Sequence, residues 1–169
     1  MKLHIKGKII SIHKKMEVLD ENDNLAYQVS SKALSIHDKT YITDSQGNEI
    51  AYIHAKAISI HQVHYVEMNN GINFEIRLEL GHPIHNVLDI IEFGWQIRGQ
   101  FAAHDYEIAD SNGNVLAAAH RKWFSAHGIY YLDIFDDSKA DMLLAAYIVL
   151  EHILSNQEAS ASASANNPN

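Results

Sequence analysis

Lys8-Ile-Ile-Ser-Ile-His13, Lys32-Ala-Leu-Ser-Ile-His37 and Lys56-Ala-Ile-Ser-Ile-His61 are three copies of one phrase, spaced 24 residues apart. A fourth, Lys122-Trp-Phe-Ser-Ala-His127, comes later. A second phrase is coupled to it. Polar stretches opening on Asp20, Asp44 and Asp110 precede Ser35, Ser59 and Ser125 by 15 residues each time. A repeat of this kind marks a repeated supersecondary unit. The polar stretches, Asp20-Glu-Asn-Asp-Asn24, Asp44-Ser-Gln-Gly-Asn48 and Asp110-Ser-Asn-Gly-Asn114, read as turns. Their residues tolerate positive φ or bond to their own backbone. Between the turns, polarity alternates. Leu3, Ile5, Gly7 and Ile9 face one way, and Lys2, His4, Lys6 and Lys8 the other. That is the period of a strand with one buried face. The unit is therefore a hairpin, and the pattern predicts twelve strands in six hairpins. Between about residues 66 and 100 the repeat degenerates, with turns expected at Asn69-Asn-Gly71, Gly81-His-Pro83 and Phe93-Gly94.

After Phe135 the period changes. Asp136, Asp137 and Ser138 are N-cap candidates, and Asp141 stands three residues past Ser138, as in a capping box. Met142 to Leu150 is apolar on every face of a helix. A single stripe against a sheet would not bury such a segment. An open sheet of twelve strands leaves edges exposed, and closure removes them. Both demands are met by a mainly β fold: a twelve-stranded antiparallel closed barrel around a central hydrophobic helix at about residues 139–154. Small inward residues, Gly7, Ser31, Ala55, Ala117 and Ala119, leave room for it. Residues 1–154 form one domain. The Ala/Ser-rich run from Ser155 to Asn169 reads as a disordered, low-complexity tail.

The residues also exclude. There is no cysteine, hence no disulfide, Cys-type zinc site or cysteine nucleophile. The N-terminus lacks an uninterrupted apolar run, so a signal peptide is not expected, and a cytoplasmic location is. The longest uncharged apolar run would make about 13 Å of helix, too short for roughly 30 Å of bilayer hydrocarbon. A net charge of −8 argues against general nucleic-acid binding. Twelve histidines make the surface charge depend on pH, since protonating all of them would reverse its sign.

The phrases His104-Asp-Tyr-Glu-Ile-Ala-Asp-Ser-Asn-Gly-Asn114 and Arg121-Lys-Trp-Phe-Ser-Ala-His-Gly-Ile-Tyr-Tyr-Leu-Asp-Ile134 resemble the LURP-one-related family. Trp95-Gln-Ile-Arg-Gly99 and the apolar helix fit as well. The resemblance covers about residues 1 to 154. The family is grouped with Tubby C-terminal domains and phospholipid scramblases, which implies a twelve-stranded barrel around a central helix. No lipid site carries over residue by residue. At the Ser-Ile-His phrases relatives often place glycine, so His13, His37 and His61 are expected at positions of positive φ.

No cofactor is expected, and no catalytic constellation emerges. Ser11, Ser35, Ser59 and Ser125 recur beside histidine, but recurrence in four hairpins argues architecture, not a triad. A calcium loop fails at Asp110, where Val115 and Arg121 hold the places of the required Gly and Glu. His61-Gln-Val-His64 and His82-Pro-Ile-His85 offer imidazoles for a metal, but positions three apart on a strand face opposite sides. Lysines are the best candidates for a binding surface: Lys8, Lys32 and Lys56 at equivalent places in alternate strands, with Lys14, Lys15 and Lys39 near neighbouring turns. The leading expectation is a non-enzymatic binding or scaffold domain with a protein partner. Its alternatives are a peripheral binder of anionic phospholipid or phosphoinositide head groups, and a His-rich metal protein.

Overall fold

A computed structural model describes residues 1–6, 15–32, 39–58, 61–79, 87–122 and 129–165. The strands are β1 (Lys2–Lys6), β2 (Lys15–Leu19), β3 (Leu25–Lys32), β4 (Lys39–Asp44), β5 (Glu49–Ile58) and β6 (His61–Met68). They continue as β7 (Asn73–Glu79), β8 (Val87–Ile90), β9 (Trp95–Gln100), β10 (Asp105–Ala109), β11 (Val115–Lys122) and β12 (Ile129–Ile134), followed by the helix α1 (Ala140–Ala165). Every ladder is antiparallel. The order is β7-β6-β5-β4-β3-β2-β1-β12-β11-β10-β9-β8, so the first and last strands pair, with Leu3 opposite Leu132.

The repeat is visible in atomic detail. In each repeated turn the opening aspartate's Oδ1 accepts two backbone N–H groups, and its Oδ2 accepts the amide of the closing asparagine. For Asp110 these are Asn112 N, Asn114 N and Asn114 Nδ2, all at 2.9 Å. Asp20 and Asp44 repeat the set. These bonds hold all three carboxyls below the ordinary aspartate range. The same turn position has positive φ in each copy: Asp23, Gly47 and Gly113. A register shift also precedes each turn, at Val18/Leu19, Ile42/Thr43 and Ile108/Ala109. The expected turns at Asn69–Gly71 and Phe93–Gly94 are present, with Gly71 and Gly94 at positive φ. Gly81-His-Pro83, His13 and His37 lie outside the described residues. His61 corrects the expectation of positive φ. It is the first residue of β6, paired with Ile58 and Glu79, and so is part of a strand.

The barrel is nearly closed. Among the described residues no ladder joins β7 to β8, the shortest strand. The seam is filled by Phe93, whose ring lies 5.2 Å from Phe74 and 4.7 Å from Trp95. Glu92 Oε1 accepts the Glu75 backbone N–H at 3.3 Å, so a side chain satisfies a donor on the edge strand.

The helix occupies the interior. Leu143 to Leu150 are each at most 1% exposed. They meet inward Leu3, Ile5, Val18, Ile42, Ile53, Val66, Ile76, Ile97 and Leu132, all likewise buried. Ala55, Ala117 and Ala119 are buried as expected. Two details differ from expectation. Asp136 caps a preceding 3₁₀ turn, and Asp141 Oδ1 accepts the Tyr27 hydroxyl at 2.9 Å, so it forms no capping box. The helix also runs on to Ala165, past the expected start of the tail at Ser155. Propagating a formed helix is cheap, and alanine is its best former, so an Ala/Ser run extends a helix that burial has nucleated.

Candidate functional site

The two ends of the barrel are chemically distinct. The Asp20, Asp44 and Asp110 turns share one end with the start of α1. The opposite rim carries the strand ends that adjoin the Ser-Ile-His phrases. Lysine closes or opens a strand there on β4 (Lys39), β3 (Lys32), β2 (Lys15), β1 (Lys6) and β11 (Lys122). In the sheet order these strands are consecutive but for β12, where Ile129 pairs with both Lys6 and Lys122. Lys32 is directly opposite Lys39, and Lys39 opposite His54, two residues before Lys56 on β5. Of the lysines singled out by sequence, Lys15, Lys32, Lys39 and Lys56 thus fall on one rim, and Lys39 is exposed. Lys8 and Lys14 lie outside the described residues. Lys122, which opens the fourth copy of the repeated phrase, and Lys6, outside the repeat, join the arc. Glu17, opposite Lys6, interrupts it on β2.

Beneath this rim the interior turns polar. On α1, Glu151 is 2% exposed. Its Oε2 lies 2.8 Å from His104 Nδ1, and its Oε1 accepts the Tyr106 hydroxyl at 2.9 Å. His104 sits at φ 53, held edge-on to Tyr130, with the ring centroids 5.3 Å apart. The Arg121 guanidinium lies over the Tyr130 ring at 5.6 Å. Tyr147, one helical turn before Glu151, stacks on Tyr106. Burial, then the Glu151 carboxyl, pushes both phenols well above their ordinary range, so they stay protonated. Across the β7–β8 seam His64 points inward from β6, 1% exposed. Burial first, and His152 of α1 second, push its imidazole down to about 4. Among the described residues, buried His64 Nε2, Tyr147 OH and Ser155 Oγ have no hydrogen-bond partner.

This layer can fasten the helix to the wall through Glu151, His104 and Tyr106. Among the described residues the Ser155 hydroxyl is hydrogen-bonded to no base, so it forms no triad with His104 and Glu151. The serines of the repeated phrases fall outside the described residues, as do His82 and His85. Among the described residues no three His, Cys, Asp or Glu side chains converge as metal ligands. No described helix is long and apolar enough to cross a membrane.

Sequence reasoning missed His104, Tyr106, Tyr147 and Glu151. The available signal was Glu151-His152 at the end of an otherwise apolar run.

Comparisons with known proteins agree with this architecture. No curated protein matches the sequence. An Arabidopsis thaliana protein solved by X-ray crystallography superposes with a TM-score of 0.54, covering 90% of this chain and 91% of that one at 11% identity. That likeness is one of fold. The LURP-one-related family model matches residues 1–151, and the chain belongs to that family.

Proposed function

We propose that the chain is a non-enzymatic binding domain and that the basic rim is its working surface. The observation that carries this is the lysine arc: five of six neighbouring strand ends carry lysine on a molecule of net charge −8. A surface so at odds with the whole molecule's charge suits an anionic partner. Phospholipid head groups of an anionic membrane fit best, since each lysine near such a surface contributes about 1 kcal/mol and no deep pocket is needed. A scaffold for an acidic protein partner is the second reading, resting on the same arc.

Flotation with phosphatidylcholine vesicles, with and without phosphatidylserine, tests the assignment. At pH 7.5 and low salt the protein is expected to float with the anionic vesicles only, and to be released by 0.5 M salt. Replacing Lys15, Lys32 and Lys39 together by glutamine should weaken binding about a hundredfold. Absence of anionic-vesicle binding, or binding indifferent to those replacements, would remove the lipid reading.

A further inference from the structure

We propose that two side-chain clasps, Asp141 with Tyr27 and Glu151 with Tyr106 and His104, together select a single rotation and depth of α1 inside the barrel.

Burial alone leaves that choice open. Leu143 to Leu150 are buried on every face of the helix, and Tyr147 carries the one polar side-chain atom among them. An apolar cylinder in an apolar sleeve loses little burial when it turns or slides, because apolar contact of about the right size is enough to fold. A buried polar group is more exacting, since it keeps its partners in one arrangement only. Here polar groups bracket the apolar run. Asp141 Oδ1 accepts the Tyr27 hydroxyl of β3 at 2.9 Å. Ten residues on, about 15 Å along the axis, Glu151 meets another part of the wall. Its Oε1 accepts the Tyr106 hydroxyl of β10 at 2.9 Å, and its Oε2 lies 2.8 Å from His104 Nδ1. In the sheet order β3-β2-β1-β12-β11-β10 separates the two clasps, so they hold α1 from different directions.

Tyr106 meets two turns of α1 at once. Its hydroxyl engages Glu151, and its ring stacks on Tyr147, four residues earlier, with centroids 6.2 Å apart. His104 is aimed by its backbone at φ 53 and by its edge-on contact with Tyr130. Turning α1 by one residue, about 100°, carries a group on its surface by about 8 Å. Buried Glu151, Tyr106 and His104 would then lose these contacts. Single buried polar residues set the register of coiled coils in the same way, at a cost in stability. The clasps involve none of the rim lysines, and failed flotation would leave the proposal standing.

Spin-label distances test it. The chain has no cysteine, so nitroxides can be placed through Glu17→Cys on β2 and Gln157→Cys on α1, both exposed. Double electron–electron resonance should give one narrow distance distribution for this labelled protein. Tyr27→Phe, or Glu151→Leu combined with Tyr106→Phe, leaves one clasp in place and should keep the distribution narrow. With all three substitutions the protein should still fold cooperatively, and the distribution should broaden or split by up to about 8 Å. Tyr27→Phe combined with Glu151→Gln, which keeps an acceptor for the Tyr106 hydroxyl, should stay narrow. The proposal fails if the triple variant keeps a single narrow distribution. It fails equally if that variant does not fold, since the clasps would then supply stability and not the choice of arrangement.

Discussion

Substituting Gly113 by alanine adds a methyl group that meets nothing within 4 Å. The cost is the backbone's alone, since φ is +83°, and about 1–2 kcal/mol is expected. Gly99 differs. Its φ is +146°, and a Cβ would stand 2.5 Å from the Asp105 carbonyl oxygen across the β9–β10 ladder. Gly99→Ala should cost about 3 kcal/mol or more, combining strain with a clash against immobile backbone. Urea unfolding of the two variants side by side checks the ordering, and equal losses would contradict it. The turn residues were legible because their chemistry is local: Asp110 and Asn114 close on each other whatever surrounds them. His104, Tyr106 and Glu151 were not. Which strand Glu151 faces depends on sheet order and on the rotation of α1, and neither is written in the spacing of any motif.

At the scale of the element, α1 was legible in its apolar run and misread at its end. Met142 to Leu150 announces burial on all sides, because no single-sided environment satisfies it. The Ala/Ser run announces only that it cannot pack, which is compatible with tail and helix alike. The buried part tolerates no charge. Ala146→Glu would place an unpaired carboxylate among Leu143, Leu150 and the inward faces of the strands, at a cost of several kcal/mol. That is comparable to the whole stability of a domain this size, and no soluble folded protein is expected. Gln157→Glu, on an exposed position of the same helix, should change stability by less than about 0.5 kcal/mol. Soluble yield and near-UV circular dichroism separate the two. A native-like Ala146→Glu protein would contradict the enclosed helix.

For the whole molecule, acid stability should fall in two stages. His64 is neutral in the fold with its imidazole pushed to about 4, against 6.5 unfolded, so its contribution is complete above 6.5 and lost as pH falls toward 4. The difference amounts to about 3 kcal/mol. The Asp20, Asp44 and Asp110 carboxyls are held below 3.8, so their contribution is present above that value and lost further down. The melting temperature should therefore decline between pH 6.5 and 4, and again below about 4. In His64→Leu the first decline should be reduced. In the triple Asp→Asn variant of the turns the second should be reduced, with the first intact. A single transition unaffected by either variant would contradict this division.

The pairing of β1 with β12 has a consequence for how the molecule is made. Hairpins from β1 to β7 can form as they leave the ribosome, since each strand pairs with its neighbour in the chain. The ladder between Leu3 and Leu132 cannot form until β12 has emerged, and α1 emerges after that. Throughout synthesis, then, the inward faces of the early strands have no helix to cover them, and one edge of β1, paired on the other with β2, waits for β12. Chains halted before about residue 150 should leave these apolar faces exposed, which makes them natural clients of chaperones.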